Sequence, residues 1–170
     1  MEITLKEVTF NEATFCGCSS SRSEEQAEEP FYLFFHVSSE GEVSWVVTTF
    51  SNETVDTFLG PFEETAPRFR EAADKILQSS GLLVAHGVES GFNTLKSLGV
   101  CVEPYTRLGF CMAQKTAGLC EILSDNIGGT YAYPKLDELY THLFPLPIPT
   151  QKHEAIRRCF FRCRSMHLFC

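Results

Sequence analysis

The residues able to do chemistry are densest at the C-terminal end of the chain. Cys159, Cys163, His167 and Cys170 follow one another at short intervals, and thiolates with an imidazole are ligands that zinc favours. On one helix, however, Cys159 and His167 stand about 12 Å apart at the usual rise. Ligands of a single zinc lie within about 4 Å of each other, so at most an i,i+4 pair can bind together. The spacing instead predicts small apolar thiols on the inner face of a helix. The same stretch carries Lys152, Arg157, Arg158, Arg162 and Arg164 against one acid, Glu154. Arg157, Arg158, Arg162 and Arg164 either grip phosphates or form a solvated face that complements an acidic body and the helix C-terminus. The whole chain has a formal net charge of −8, so only this segment offers phosphate any attraction at a distance.

The elements that must position these residues change period along the chain. Residues 1–10 alternate as a short edge strand does, and the polar, acidic run 17–30 predicts a mobile loop. Residues 1–30 are therefore expected to be an N-terminal strand and flexible acidic loop, preceding a single domain over 31–170. Phe31–Val37 is a continuous apolar run, the mark of a strand buried on both faces. Glu42–Phe50 and Thr54–Leu59 are β-branched and aromatic, with Asn52-Glu53 between them as a hairpin turn. The spacing then becomes helical over Pro67–Leu77, with Thr65 as N-cap and Gly81 as stop. Gly81–Ala85 reads as a buried strand and Val88–Leu98 as a helix. Further helices are expected over Thr116–Ser124, Lys135–Phe144 and His153–His167. Strands first, then strand–helix alternation, predict a mixed sheet with helices packed on it.

At 170 residues and 44% hydrophobic, the chain can bury one compact core. It has no apolar run of membrane-spanning length, and its start lacks the basic-then-apolar order of a signal peptide. A soluble intracellular protein without membrane partners is the expectation. The eight cysteines are irregularly spaced, which predicts mostly buried free thiols rather than a disulfide framework.

Three stretches, in order, resemble the DnaQ-like (DEDDh) 3′–5′ exonucleases of the ribonuclease-H-like fold. Tyr133-Pro134-Lys135-Leu136-Asp137-Glu138-Leu139-Tyr140-Thr141-His142-Leu143-Phe144 is similar to that family's PKLDELYxHLF helix. Leu82-Leu83-Val84-Ala85-His86 resembles its LVAHN strand end and precedes an FNTL at Phe92–Leu95, while Phe31–Phe35 is similar to its first strand. Gly109–Ala113 looks like a segment some members carry between them. The resemblance spans about residues 31–165. It implies an α/β domain with a ribonuclease-H-like mixed five-stranded sheet flanked by helices.

The family's reaction, as the resemblance implies it, needs four carboxylates holding two divalent metals and a histidine as general base. The DxE positions of the first strand read His36 and Ser38, the aspartate of HNxxFD reads Gly91, and that of HxxxxD reads Arg158. Only the histidine, His153, remains. The resemblance thus implies a catalytically degenerate domain, a pseudoenzyme that binds single-stranded nucleic acid through its basic C-terminal helix or binds a protein. No cofactor is expected. The alternative is an active exonuclease using Mg²⁺ or Mn²⁺ on relocated carboxylates, with Glu40, Glu89 and Glu154 as candidates; a second is a scaffold subunit of a larger complex. His36, His86 and His153 together would form a histidine site for zinc, although the expected role of His86 is structural.

Overall fold

The computed structural model describes residues 29–121 and 131–169. The strand expected over 1–10 and nearly all of the loop expected over 17–30 lie outside them. The chain begins with three strands, β1 (Tyr32–Val37), β2 (Glu42–Thr48) and β3 (Thr54–Pro61). Helix α1 (Phe62–Gln78), strand β4 (Leu82–Ala85) and helix α2 (Val88–Ser97) follow. A 3-10 helix at Glu103–Leu108 leads into strand β5 (Gly109–Cys111) and the short helix α3 (Met112–Lys115). Helices α4 (Leu136–Leu143) and α5 (Lys152–Ser165) complete the fold.

The five strands form one mixed sheet in the order β3-β2-β1-β4-β5. β1 runs antiparallel to β2, and β2 to β3, while β1–β4 and β4–β5 are parallel. Because successive side chains of a strand point to opposite faces, the apolar run of β1 feeds two cores. Leu33 and Phe35 join Trp45, Phe69, Ile76 and Leu95 on the face covered by α1 and α2. Tyr32 and Phe34 join Val46, Tyr140, Ile156 and Phe160 under α4 and α5. At the start of β4 a Cβ on Gly81 would fall 1.8 Å from the Phe31 carbonyl oxygen, so only glycine lets these neighbouring backbones approach.

Several boundaries differ from the sequence reading. Helix α1 starts at Phe62, five residues before the proline taken as its beginning, and Pro67 sits inside it. The backbone hydrogen bond that a proline forfeits is offset by Phe69, Ala72, Ala73 and Ile76, all sealed in the core. Thr65 is not an N-cap; it lies within the helix and its hydroxyl donates to the Pro61 carbonyl at 3.0 Å. The helix expected from Thr116 is absent over 116–121, where the chain turns after α3. There the Thr116 hydroxyl donates back to the Met112 carbonyl at 2.7 Å and Glu121 has a left-handed φ of 50°, both of which oppose propagation. Residues 122–124 lie outside the described part. The hairpin turn stands where expected, with Asn52 at φ 72°. Among the five described cysteines, Cys159 and Cys163 are buried, Cys111 and Cys120 half-buried and Cys101 exposed, so the expectation of mostly buried thiols is met by two.

Candidate functional site

β1 and β4 run parallel, and just past their C-terminal ends, beside the first turn of α2, a cleft of about 200 Å³ opens. Crevices at strand carboxyl ends are where open α/β sheets bind ligands. Its walls include His36, Val37, His86, Ser90, Gly91 and Leu136. His36 follows Phe35 out of the core on β1, and His86 follows Ala85 out of β4.

The His86 Nε2–H donates to the Pro134 carbonyl at 2.7 Å, which pins the segment entering α4 to the end of β4. Its other nitrogen, Nδ1, is buried without a partner among the described residues. Burial pushes the His86 pKa below its usual value, partly opposed by the bond to Pro134 and by Asp137 and Glu138. His153, in the first turn of α5, is buried and its Nδ1 also has no partner. Burial lowers its pKa; Glu154 opposes this, and His36 and Arg157 add to it. His36 is lowered by burial first and then by the charge of Lys152, against Glu42, with a smaller push from His86. The His36 imidazole therefore stands within electrostatic reach of both His86 and His153. The ammonium bearing on His36 belongs to Lys152, which also joins α5 to α4 through a 2.8 Å ion pair with Asp137. The sequence reading counted Lys152 among the bases of this segment but not among its site residues, although it stands next to His153.

The four positions that the resemblance marks as metal-ligand positions do not all meet here. His36 and Gly91 line the cleft. Gly91 faces the Phe35 ring so closely that a Cβ would stand 2.7 Å from Cε2. Ser38 lies one residue beyond β1, and its hydroxyl accepts the Glu40 and Glu42 amides at 3.3 and 3.1 Å, closing the turn to β2. Arg158 turns to Glu154, with Nε 2.9 Å from Oε1, and toward the Tyr140 hydroxyl.

The alternative carboxylates are placed elsewhere or engaged. β1 ends at Val37, and Glu40 is exposed in the turn beyond it. Glu89 lines a different cleft, between α2 and the 3-10 helix. Glu154 takes Arg157 on both oxygens at 2.7 Å and Arg158 on one. Among the described residues no three His, Cys, Asp or Glu side chains are grouped to hold a metal ion. Neutral imidazoles beside an ammonium do not fit hard cations such as Mg²⁺ or Mn²⁺, which take oxygen ligands.

The basic residues of α5 are mostly occupied. Besides Glu154, Arg157 reaches the Asn52 side-chain carbonyl at 2.6 Å. The Arg164 guanidinium lies 3.4 Å from the Phe50 ring centroid and donates to the Phe50 carbonyl at 2.9 Å. The Arg162 side chain is exposed. Cys159 and Cys163 face inward, and burial pushes their thiols up to about 12 and about 11. α5 ends at Ser165, so His167 stands in the turn beyond it, out of helical line with the two thiols.

No family model matches the chain, and no curated protein or solved structure matches it. Among the described residues no helix is long and apolar enough to cross a membrane.

Proposed function

We propose that the chain is a catalytically degenerate exonuclease-like domain of the DnaQ type, acting as a protein-interaction module. The observation that carries this reading is the cleft at the ends of β1 and β4. It is lined by His36, His86 and Gly91, with the Phe35 ring beneath Gly91, where metal-dependent hydrolysis needs carboxylates. The strand order β3-β2-β1-β4-β5, antiparallel on one side of β1 and parallel on the other, is compatible with a ribonuclease-H-like sheet and supports the resemblance. A protein partner is favoured over nucleic acid because Arg157, Arg158 and Arg164 are bound to Glu154, Asn52, Tyr140 and Phe50.

The test is a thermal melt with and without millimolar Mg²⁺ or Mn²⁺, beside incubation with 3′-labelled single-stranded DNA and RNA in Mn²⁺. The expected outcome is an unchanged Tm, since a cation that does not bind the native state cannot stabilise it, and intact substrate. Processive 3′ trimming overturns the pseudoenzyme reading. Tight, salt-dependent binding of an oligonucleotide, well below the roughly 10⁻⁴–10⁻⁶ M of non-specific association, would move the module from protein to nucleic acid.

A further inference from the structure

Buried polar atoms nearly always have a hydrogen-bond partner. Among the described residues, Trp45 Nε1 is buried and has none. Trp45 sits in the middle of β2, 1% exposed and stacked on Phe58 with ring centroids 4.2 Å apart. An indole N–H can only donate, so what it lacks is an acceptor. The same side chain forms part of the floor of a second cavity, remote from the cleft of His36 and His86.

This cavity is a groove of about 410 Å³ between β3 and α1, within the roughly 300–1,000 Å³ of small-molecule sites. Its floor is apolar and buried: Trp45, Val47, Phe58 and Ala72. The register sets Phe58 opposite Trp45 and Asp56 opposite Val47. Residues opposite one another across a strand pair share a face, so Asp56 leaves β3 on the side that α1 covers. The facing wall is Arg68, Glu71 and Lys75 of α1. Glu71 and Lys75 neutralise each other through a 3.6 Å ion pair. Asp56 and Arg68 are different: among the described residues neither side chain has a hydrogen bond or an ion pair. The Arg68 guanidinium meets the Phe58 ring, 5.5 Å from its centroid. One wall thus carries an anion without a counterion and the other a cation without one. Between them lie an apolar floor and a donor without an acceptor. A ligand of one charge gains from one wall and meets its own sign on the other, whereas a ligand carrying both signs gains from each.

We propose that the groove between β3 and α1 is a binding site for a small zwitterion with an apolar side chain, of the class of the aromatic α-amino acids. The ligand carboxylate accepts from Arg68 and from the Trp45 Nε1–H. Its ammonium donates to Asp56, and its side chain lies on Val47, Val55 and Phe58. Arginine suits the carboxylate because its planar fork donates two parallel hydrogen bonds. None of these residues lines the cleft of His36 and His86, so the site is independent of the reading given to that cleft.

The experiment is a titration of tryptophan emission in the full chain, which reports on the groove because Trp45 is the sole tryptophan. The probes are L-phenylalanine, phenethylamine, which lacks the carboxylate, and 3-phenylpropionate, which lacks the ammonium. L-Phenylalanine is expected to give a saturable change with half-saturation at about a millimolar, the scale for a ligand of this size. Each analogue should bind about tenfold more weakly, the order for losing one charge-assisted contact. Asp56→Asn should bring L-phenylalanine down to the affinity of 3-phenylpropionate, and Arg68→Gln to that of phenethylamine. Both side chains are exposed, and urea unfolding curves that match the wild type show that each variant is folded. The three probes on the wild-type chain test the site without any substitution. No saturable change with L-phenylalanine overturns the proposal. Analogues that bind as well as L-phenylalanine overturn it equally, as do variants that weaken all three probes alike.

Discussion

The contact between Gly91 and Phe35 makes a prediction whose sign decides the matter. Replacing a glycine inside a helix by alanine normally stabilises it by about 1 kcal/mol, and Gly91 lies within α2. Here the new methyl would stand 2.7 Å from Cε2 and 3.3 Å from Cζ of Phe35. The ring has little freedom to yield, since it is fully buried, stacked on Phe92 at 5.7 Å and met edge-on by Phe69 at 5.7 Å. Overpacking of this kind costs about 1–3 kcal/mol, so Gly91→Ala should be destabilising by about 0–2 kcal/mol rather than stabilising by about 1. Gly91→Asp adds a carboxylate pressed toward an aromatic face, and its loss should reach about 2–4 kcal/mol. Shrinking the ring with Phe35→Leu should relieve both, giving a favourable coupling of about 1–2 kcal/mol in a double-mutant cycle. Urea unfolding followed by fluorescence measures these values, because Trp45 is the sole tryptophan and is 1% exposed. A Gly91→Ala variant about 1 kcal/mol more stable than wild type, or additive effects in the cycle, would refute the reasoning.

Two other perturbations follow from the same geometry. Burial and neighbouring charge hold His36, His86 and His153 below the ordinary histidine value of 6.5, so the native state binds fewer protons than the unfolded chain just below that pH. Their contribution is full above about pH 7 and is lost as pH falls through 6.5 toward the depressed values; Tm should drop between pH 7.5 and 5.5, and drop less in His153→Gln, whereas a Tm that is flat or rises on acidification would contradict the assignment. Arg157→Ala removes two bonds to Glu154 and one to Asn52, and should cost about 1–2 kcal/mol in chemical denaturation, the range for charge-assisted bonds with partial exposure; a change under a few tenths would show that these contacts carry no stability.

The sheet was legible wherever one residue pattern answered one environment. The continuous run of β1 demanded two buried faces and has them. β5 has only three residues, too few to show a period, and it exists because its backbone pairs with β4. The start of α1 was obscured by Pro67, since a local rule treats proline as a boundary while the core beneath it rewards continuing. The surroundings of the α5 arginines were not legible at all. Arg157 meets Asn52 across 105 residues and Arg164 meets Phe50 across 114. A count of charges gives the field of a segment but not the groups that neutralise it.

That distinction bears on the degeneracy proposed above. Read one position at a time, His36, Ser38, Gly91 and Arg158 are four missing ligands. In the structure each sits in surroundings of its own. The Ser38 hydroxyl closes a turn, Gly91 leaves room for the Phe35 ring, Arg158 holds Glu154, and burial together with the Lys152 charge lowers the pKa of His36. A carboxylate restored at position 91 alone meets an aromatic ring. One restored at 158 abandons Glu154 to Arg157. Contacting residues do not change independently, so reversal would have to rebuild the neighbours as well as the ligands. On the pseudoenzyme reading proposed above, these engagements are what a return to hydrolysis would have to undo.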